Sequence, residues 1–241
     1  MTDRLDRTVA LVTGASSGIG EATARALASR GAAVALAARR VDRLDVLAKE
    51  VESGGGRALA IECDVTEQAE AVEAVERTVR DLGRLDTLVN NAGVMLLGPV
   101  VDAPTEEWDR MVRLNLLGLL YCSHAALPHL VRAAEDSPRR VARPGSGVYA
   151  LTKHGVGAFS ESLRQEVTKR HVRVSLVEPG AVATELADHL RPEIRKQAMQ
   201  RFAGIERLEA DDIADAIAYI VTRPRRMAVN EMLVRPTEQE L

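Results

Sequence analysis

The sequence predicts a single α/β domain with a doubly wound parallel sheet in three layers, α/β/α. The chain has 241 residues, which suits one α/β unit better than two. Short apolar runs alternate with segments of helical period, as in a parallel sheet that is covered on both faces. Hydrophobic residues make up 46% of the chain and aromatic residues only 2%, so the core must be aliphatic. We therefore treat residues 1–241 as one domain.

The first half of the chain alternates regularly between strands and helices. Glycines follow the predicted helices and end them. Right-handed crossovers between successive parallel strands then give the doubly wound topology. The predicted strands lie at 8–13, 33–38, 57–62 and 85–90, and the predicted helices at 17–30, 41–53 and 67–82.

The alternation breaks in the second half. Two helices are predicted in succession, at 105–135 and 148–169, with a polar loop at 138–147 between them. The expected central fifth strand is therefore missing, although strands at 172–177 and 231–234 and a helical stretch through 220 follow. Strands are spaced about 4.8 Å apart, so its loss would leave a slot of roughly 10 Å in the sheet. Either the natural chain carries about a dozen further residues, a strand with its connections, near 138–141, or the segment is deleted.

Composition excludes several classes of function. The net charge is −3 and no polybasic run occurs, so we expect no nucleic-acid partner. Cys63 and Cys122 lie in apolar segments and are predicted to be small buried hydrophobes of a reducing cytoplasm. The polar N-terminus is unlike a signal peptide, and no apolar stretch suggests a bilayer span, so we expect a cytoplasmic protein without a membrane partner. No metal site is predicted.

The segment TGASSGIG at 13–20 is the first functional motif. Its glycines stand where a strand turns into a helix, where they allow a tight turn and the close approach of a pyrophosphate to the helix N-terminus. This arrangement is typical of a Rossmann-type nucleotide site, although the spacing is G-x3-G-x-G, and a glycine turn without a ligand is the alternative. The predicted cofactor contacts are Gly14, Ser16, Ser17, Gly18, Ile19 and Gly20.

The end of the second predicted strand favours NADP(H) over NAD(H). Many NAD sites have an acidic residue there, which holds the ribose 2′-hydroxyl. Here Arg39 and Arg40 occupy that place, and no carboxylate follows until Asp42. Two guanidinium groups suit a 2′-phosphate, although both arginines could instead begin a solvated helix.

Polar residues also follow the third and fourth predicted strands. Asp64 and Val65 come after the third strand, where Asp64 could alternatively cap the next helix. The segment NNAG at 90–93 follows the fourth strand. Its Asn91, Ala92 and Gly93 can tie neighbouring loops together and admit a ring.

Tyr149 and Lys153 form the candidate reaction centre. They are four residues apart in a predicted helix and so share one face. The ordinary pKa of tyrosine is about 10, so a phenol that acts near neutral pH needs a positive charge beside it. The Lys153 ammonium can supply that charge.

Taken together, these motifs resemble the short-chain dehydrogenase/reductase family over nearly the whole chain. The resemblance includes TGASSGIG, Asp64, NNAG, Asn115 in RLNLLG, YALTK at 149–153 and EPGAVAT at 178–184. It implies an NADP(H)-dependent oxidoreductase that transfers hydride between nicotinamide and a small carbonyl or alcohol substrate, as a homotetramer. NAGVMLLGPV, SESLRQEV and VNEMLVRPTEQ are similar to the clavulanate-dehydrogenase and 3-hydroxy-acid or serine dehydrogenase branches.

The resemblance also implies roles for individual residues. Tyr149 resembles the proton donor and acceptor, and Lys153 the residue that lowers its pKa and binds the nicotinamide ribose. Asn115 resembles the holder of a water in a proton relay. The remaining implied cofactor contacts are Asp64 and Val65 at the adenine, Thr184 at the carboxamide, and Pro179 and Gly180 in the same motif as Thr184.

One departure from the family concerns its catalytic serine. The matching position holds Asp136, with Ser137 one place away, and we do not carry the serine's role to Ser137. The alternative function is therefore an impaired, NADP-binding regulatory or structural protein. Residues 185–206 are predicted as a substrate lid, although their apolar residues could equally serve plain packing.

Overall fold

The computed structural model describes most of the chain. Its described residues are 4–97, 104–133, 147–167, 172–190, 195, 204–224 and 226–239, with backbone alone at 147–154, 162 and 187.

Strands and helices alternate through the first half, and the second half is mainly helical. The strands are β1 Val9–Thr13, β2 Ala33–Ala38, β3 Ala58–Glu62, β4 Thr87–Val89, β5 Leu176–Pro179 and β6 Glu231–Val234. The α-helices are α1 Gly18–Ser29, α2 Val41–Ser53, α3 Gln68–Leu82, α4 Thr105–Val112, α5 Gly118–Ala133, α6 Gly147–Val167 and α7 Ala210–Thr222. A π-helical turn at Arg113–Leu117 joins α4 to α5, and a 3-10 turn covers Glu185–His189.

The described strands form two parallel sheets. The first has the order β3-β2-β1-β4, and the second pairs β5 with β6. In the first sheet Leu11 is aligned with Ala35 on one side and with Leu88 on the other. This is the predicted Rossmann-type α/β fold, with helices flanking a parallel sheet. Among the described residues no strand joins β4 to β5, and residues 134–146, where the sequence pattern broke, lie outside the described part.

The core lies on both faces of the first sheet. Alternate residues of a strand point to opposite faces. Val12 and Leu36 therefore pack on one face with Leu27 of α1. Leu11 packs on the other face in the cluster that includes Val75 of α3. Every residue of β1 and β2 is buried, which confirms an aliphatic core.

Both cysteines belong to the second cluster. Cys63 is 2% exposed and Cys122 1% exposed, and both are free thiols. Burial raises the pKa of each thiol to about 12. The prediction that they act as small buried hydrophobes is confirmed.

The strands on either side of the gap between the two sheets, β4 and β5, are more exposed to solvent than β1 and β2. All of β4 and the first three residues of β5 are only half-buried. A cavity of about 1630 Å³ runs between them and continues into the cleft above the first sheet. Its walls in the gap include Leu88, Phe159, Leu176 and Ile217.

The stretch Thr105–Ala133 is long enough, and apolar enough by mean hydropathy, to cross a bilayer. This finding qualifies the prediction that no segment could do so. Its π-helical turn interrupts the α-helix, and Cys122 and Ala126 pack into the second core cluster. We therefore interpret the stretch as a core helix of the α/β domain.

Several predicted boundaries were wrong. The helix predicted at 105–135 is divided by the π-helical turn, and its predicted end at 135 lies outside the described residues. The strand predicted at 172–177 is Leu176–Pro179, because its ladder with β6 begins where Leu176 meets Glu231. The helical stretch predicted through 220 includes an extended segment, in which Val182 pairs with Leu208 before α7 begins.

Candidate cofactor and active site

The glycine-rich loop lies between β1 and α1. Gly14 has φ +64° and Gly18 φ +57°, a region that side-chain-bearing residues rarely adopt. A Cβ on Gly14 would lie 2.9 Å from the Cα of Ala92, and one on Gly20 would overlap the Asn91 amide and the Gly14 carbonyl. The loop thus presents bare backbone at the N-terminus of α1, where unpaired N–H groups and the helix dipole favour an anion.

The loop after β4 is fixed against the glycine loop by Thr13 and Asn91. The Thr13 hydroxyl donates to Val89 O at 3.3 Å and accepts from the backbone N–H groups of Asn91 and Ala92, each at 3.1 Å. The Asn91 side chain donates to the carbonyls of Thr13 and Gly14 at 3.0 and 3.2 Å. Thr13 is 2% exposed, and motif reading did not single it out because its role depends on a loop far along the chain.

Arg40 lies directly over the glycine loop. Its Nε donates to Ser16 Oγ at 3.1 Å and its Nη2 to Ser17 Oγ at 2.6 Å. Arg39 is 65% exposed and forms a 3.6 Å ion pair with Asp64. The end of β2 therefore brings two cations beside the loop, and no carboxylate occurs there until Asp42.

Asp64 has a local structural role as well as a place in the cleft. Its Oδ1 accepts from the backbone N–H of Thr66 at 3.0 Å and from the Thr66 hydroxyl at 2.8 Å. Burial would raise the pKa of Asp64, but the Thr66 hydrogen bonds and Arg39 hold it below its ordinary value. The alternative that Asp64 organises the start of α3 is thus supported, although the N-cap of that helix is Glu67.

Arg43 is a further cation near Arg40, and Glu185 binds both of these arginines. The sequence analysis indicated neither Arg43 nor Glu185 as a site residue. Glu185 Oε2 accepts from Arg40 Nη1 at 2.9 Å, and its Oε1 accepts from Arg43 Nη1 at 2.8 Å. Hydrogen bonds from Arg43 and Arg40 lower the pKa of Glu185 to about 2. Arg40 and Arg43 are three residues apart, a helical spacing that could have identified Arg43, but no local signal identifies Glu185.

Asn115 lies in the π-helical turn and is 3% exposed. Its side-chain oxygen accepts from the Val94 N–H at 2.8 Å, and its amide donates to the Val94 carbonyl at 2.9 Å. A Cβ on Gly93 would lie 3.3 Å from that oxygen. Asn115 therefore fastens the segment after NNAG, and such π-helical insertions are frequent at functional sites.

Tyr149 and Lys153 lie in α6, four residues apart on one helical face. Their side chains are outside the described part of the chain. The helix packs next to the Asn115 turn, since a Cβ on Gly155 would lie 3.1 Å from Leu116. The backbone thus brings the helix of Tyr149 beside the turn of Asn115.

The segment after β5 closes the cleft from the other side. Gly180 donates its N–H to Val234 O at 2.7 Å, and a Cβ on it would meet Pro236 at 3.0 Å. Thr184 lies beside the glycine loop, 3.2 Å from the position of a Cβ on Gly18. A segment from the second half of the chain therefore meets the glycine loop at the N-terminus of α1.

The structure places most of the predicted site residues along one cleft. Gly20 lies beneath the loop rather than on the cleft surface. The predicted residues that line the cleft are Gly14, Ser16, Ser17, Gly18, Ile19, Arg39, Arg40, Asp64, Val65, Asn91, Ala92, Gly93, Asn115, Pro179, Gly180 and Thr184.

Asp136 and Ser137, at the family's serine position, lie outside the described residues. Residues 138–141, where a segment was inferred to be absent, also lie outside them.

No group of three or more His, Cys, Asp or Glu side chains within the described ranges could hold a metal ion.

Comparison with known proteins decides the family. The sequence model of the short chain dehydrogenase family matches residues 8–195. The chain belongs to this family. The Rossmann fold and the glycine loop are thus those of a short-chain dehydrogenase.

Individual relatives agree with this assignment over their full length. An uncharacterized oxidoreductase of Staphylococcus saprophyticus is 38% identical over 244 residues, covering 97% of both chains. A closed serine dehydrogenase complexed with NADP+ has a TM-score of 0.87 at 30% identity, covering 97% of both chains. An alcohol dehydrogenase of the archaeon Thermococcus sibiricus, complexed with 5-hydroxy-NADP, has a TM-score of 0.84 at 30% identity, covering 97% of this chain and 98% of that one. The protein is accordingly an oxidoreductase of the short-chain dehydrogenase family.

Proposed function

We propose that the protein is an NADP(H)-dependent carbonyl reductase, which in reverse is an alcohol dehydrogenase, with Tyr149 as its acid/base. One observation carries the proposal: a single cleft joins the glycine loop, the Asn115 turn and Thr184, with the helix of Tyr149 packed beside it. Bound in this cleft, the nicotinamide would supply or accept the hydride.

The residues at the end of β2 fit NADP(H) better than NAD(H). Arg40 keeps further N–H donors besides those that bind Ser16, Ser17 and Glu185, because a guanidinium carries five. Arg39 is exposed beside Asp64 and can reach solvent-facing ligands. Guanidinium groups suit a phosphate dianion, whereas a ribose hydroxyl is usually held by a carboxylate. The complexes of relatives with NADP+ and 5-hydroxy-NADP support the same choice.

The chain's own residues would carry the proton chemistry. In the reductive direction Tyr149 would donate its phenolic proton to the carbonyl oxygen of the substrate. The Lys153 ammonium would stabilise the resulting phenolate, since an opposite charge favours the charged form. Asn115, held on the Val94 backbone, would order the water that returns a proton to Tyr149.

The lid and the assembly complete the proposal. Residues 185–206 would form a substrate lid, and the pairing of Val182 with Leu208 supports this because it joins the two ends of that segment at its base. We also propose a cytoplasmic homotetramer, which sedimentation of the purified protein would test.

Two measurements test the activity. Binding of NADPH should quench or shift its fluorescence, and turnover should remove its absorbance with a panel of small aldehydes and ketones. The variant Tyr149→Phe should keep the binding signal and lose turnover. Absence of both signals from the wild-type protein would refute the proposal.

A second candidate is an NADP-binding protein without turnover, and the gap between the sheets favours it. The half-buried β4 and β5 face a cavity, and no described strand supports the start of α6 from that side. The position that matches the family serine also holds Asp136. NADPH binding with no turnover across the panel, and no difference between wild type and Tyr149→Phe, would favour this candidate.

A further inference from the structure

Glu185 links the two halves of the protein through ion pairs. Each of its carboxylate oxygens accepts from a different arginine, Arg40 at 2.9 Å and Arg43 at 2.8 Å. Both arginines follow β2, whereas Glu185 begins the 3-10 turn Glu185–His189 at the base of the proposed lid. A single carboxylate thus connects the lid base to the proposed 2′-phosphate site.

The same guanidinium also touches the glycine loop. Arg40 binds Ser16 and Ser17 through Nε and Nη2 while its Nη1 binds Glu185. A ligand that accepts hydrogen bonds from Arg40 would therefore affect the contacts of Arg40 with both the glycine loop and the lid base. The Glu185 carboxylate is charged near neutral pH, and the hydrogen bonds from Arg43 and Arg40 lower its pKa further, to about 2.

Its negative charge makes Glu185 compete with a bound phosphate for Arg40 and Arg43. A phosphate monoester carries about −1.5 to −2 charges near neutral pH, and its three oxygens can accept from the arginine N–H groups that Glu185 occupies as well as from the spare ones. A carboxylate on those donors both occupies N–H groups and repels the dianion. A ribose 2′-hydroxyl is neutral, so Glu185 does not repel it and it does not need the N–H groups that Glu185 occupies.

We propose that Glu185 sets cofactor discrimination by competing with the 2′-phosphate for Arg40 and Arg43, so that phosphate binding releases the lid base. This inference rests on the proposed NADP(H) function. NADP+ would draw Arg40 and Arg43 from Glu185 and free the turn 185–189. NAD+ would leave both ion pairs in place.

Binding constants test the competition, with Glu185→Gln as the variant and Asp188→Asn as its control. Asp188 lies in the same turn and pairs with Arg195 at 2.6 Å, so its substitution removes an equal charge without touching the arginine cluster. We expect Glu185→Gln to tighten NADP+ binding about fivefold, as for the loss of a competing exposed ion pair. NAD+ binding should not change, and Asp188→Asn should alter neither constant.

Hydrogen exchange tests the release of the lid base with a probe that has no nicotinamide. Adenosine 2′,5′-bisphosphate should speed amide exchange in residues 185–189 of the wild-type protein, whereas 5′-AMP should not. In Glu185→Gln that segment should already exchange fast and should respond to neither probe.

The outcomes separate this inference from the proposed function. A wild-type protein that binds no NADP+ overturns both. Normal NADP+ binding that Glu185→Gln leaves unchanged or weakens, or an equal change for NADP+ and NAD+, overturns the role of Glu185 alone. The same conclusion follows if the bisphosphate and 5′-AMP affect residues 185–189 alike.

Discussion

The two sheets of this short-chain dehydrogenase differ in how completely their strands are covered. β1 and β2 each have a partner on both sides, and all their residues are buried. In the described part of the chain, β4 and β5 each pair on one side only and are half-buried. Packing within the first sheet is thus enough to hold the glycine loop in place. The second half depends on particular contacts that cross to the first, such as that of Thr184 with Gly18 and those of Glu185 with Arg40 and Arg43.

The largest expected effect is a difference in core stability between the two sheets. Leu36→Ala in β2 should lower the free energy of unfolding by about 3–5 kcal/mol, because Leu36 is fully buried and its truncation leaves a cavity in the core. Leu176→Ala in β5 should cost only about 1–2 kcal/mol, since Leu176 is half-buried beside the cavity. Urea unfolding of both variants measures this. Equal losses would mean that the second half is packed as tightly as the first.

Next in size is the effect of Gly20→Ala on the cofactor cleft. The added methyl group would overlap the Asn91 side chain and the Gly14 carbonyl and so shift the glycine loop. Overpacking of this kind costs about 1–3 kcal/mol, and where the displaced loop must return to its place to bind the cofactor this corresponds to roughly fivefold to 150-fold weaker NADPH binding. Fluorescence titration measures it. Gly54→Ala is the control, because a Cβ there approaches no atom closer than 3.4 Å, and it should bind NADPH as the wild type does.

Arg173 provides a test of the second half alone. Its guanidinium donates to the carbonyls of Ile220, Val221 and Arg223 at 3.0 to 3.3 Å and so caps the C-terminal end of α7. Burial lowers the pKa of Arg173 from its ordinary value, but arginine remains charged. Arg173→Met should destabilise the protein by about 1–2 kcal/mol in thermal unfolding. The exposed Arg226→Met should change little, and a similar loss there would contradict the capping role.

The smallest expected effect is the pH dependence of the Glu185 link between the two halves. The folded pKa of Glu185 is about 2, below the ordinary value of 4.5, so its contribution to stability is fully present above pH 4.5. It is lost as the pH falls from 4.5 towards 2. Wild type should therefore exceed Glu185→Gln in Tm by about 1–2 °C at neutral pH, since exposed ion pairs contribute little. The difference should shrink below pH 4.5, and a difference that grows on acidification would be the wrong sign.

Local patterns predicted the first half of the fold well. Strands β1 to β3 and helices α1 to α3 were each predicted to within one or two residues, because apolar period and glycine position define them. The cleft positions of Gly14, Gly18 and Arg40 follow from the same pattern, since the end of a parallel strand and the next helix N-terminus meet at one edge of the sheet.

Contacts between distant segments could not be predicted. The π-helical turn around Asn115 depends on both polar groups of the Val94 backbone, which a helical period does not reveal. The Glu185 ion pairs join residues more than a hundred positions apart, and Glu185 alone resembles any lid carboxylate. The start of β5 was wrong for the same reason, because the ladder with β6 determines it rather than the apolar run at 172–177.

The short pairing of Val182 with Leu208 has a consequence for how new specificities could arise. Ala183 N donates to Leu208 O at 2.8 Å, and Leu208 N donates to Ala181 O at 3.0 Å, so both ends of the intervening chain are fastened at one point. A segment anchored in this way is modular. Grafting the stretch that follows Glu185 from another short-chain dehydrogenase would replace the proposed substrate lid, while Thr184 and Glu185 keep their places beside Gly18, Arg40 and Arg43.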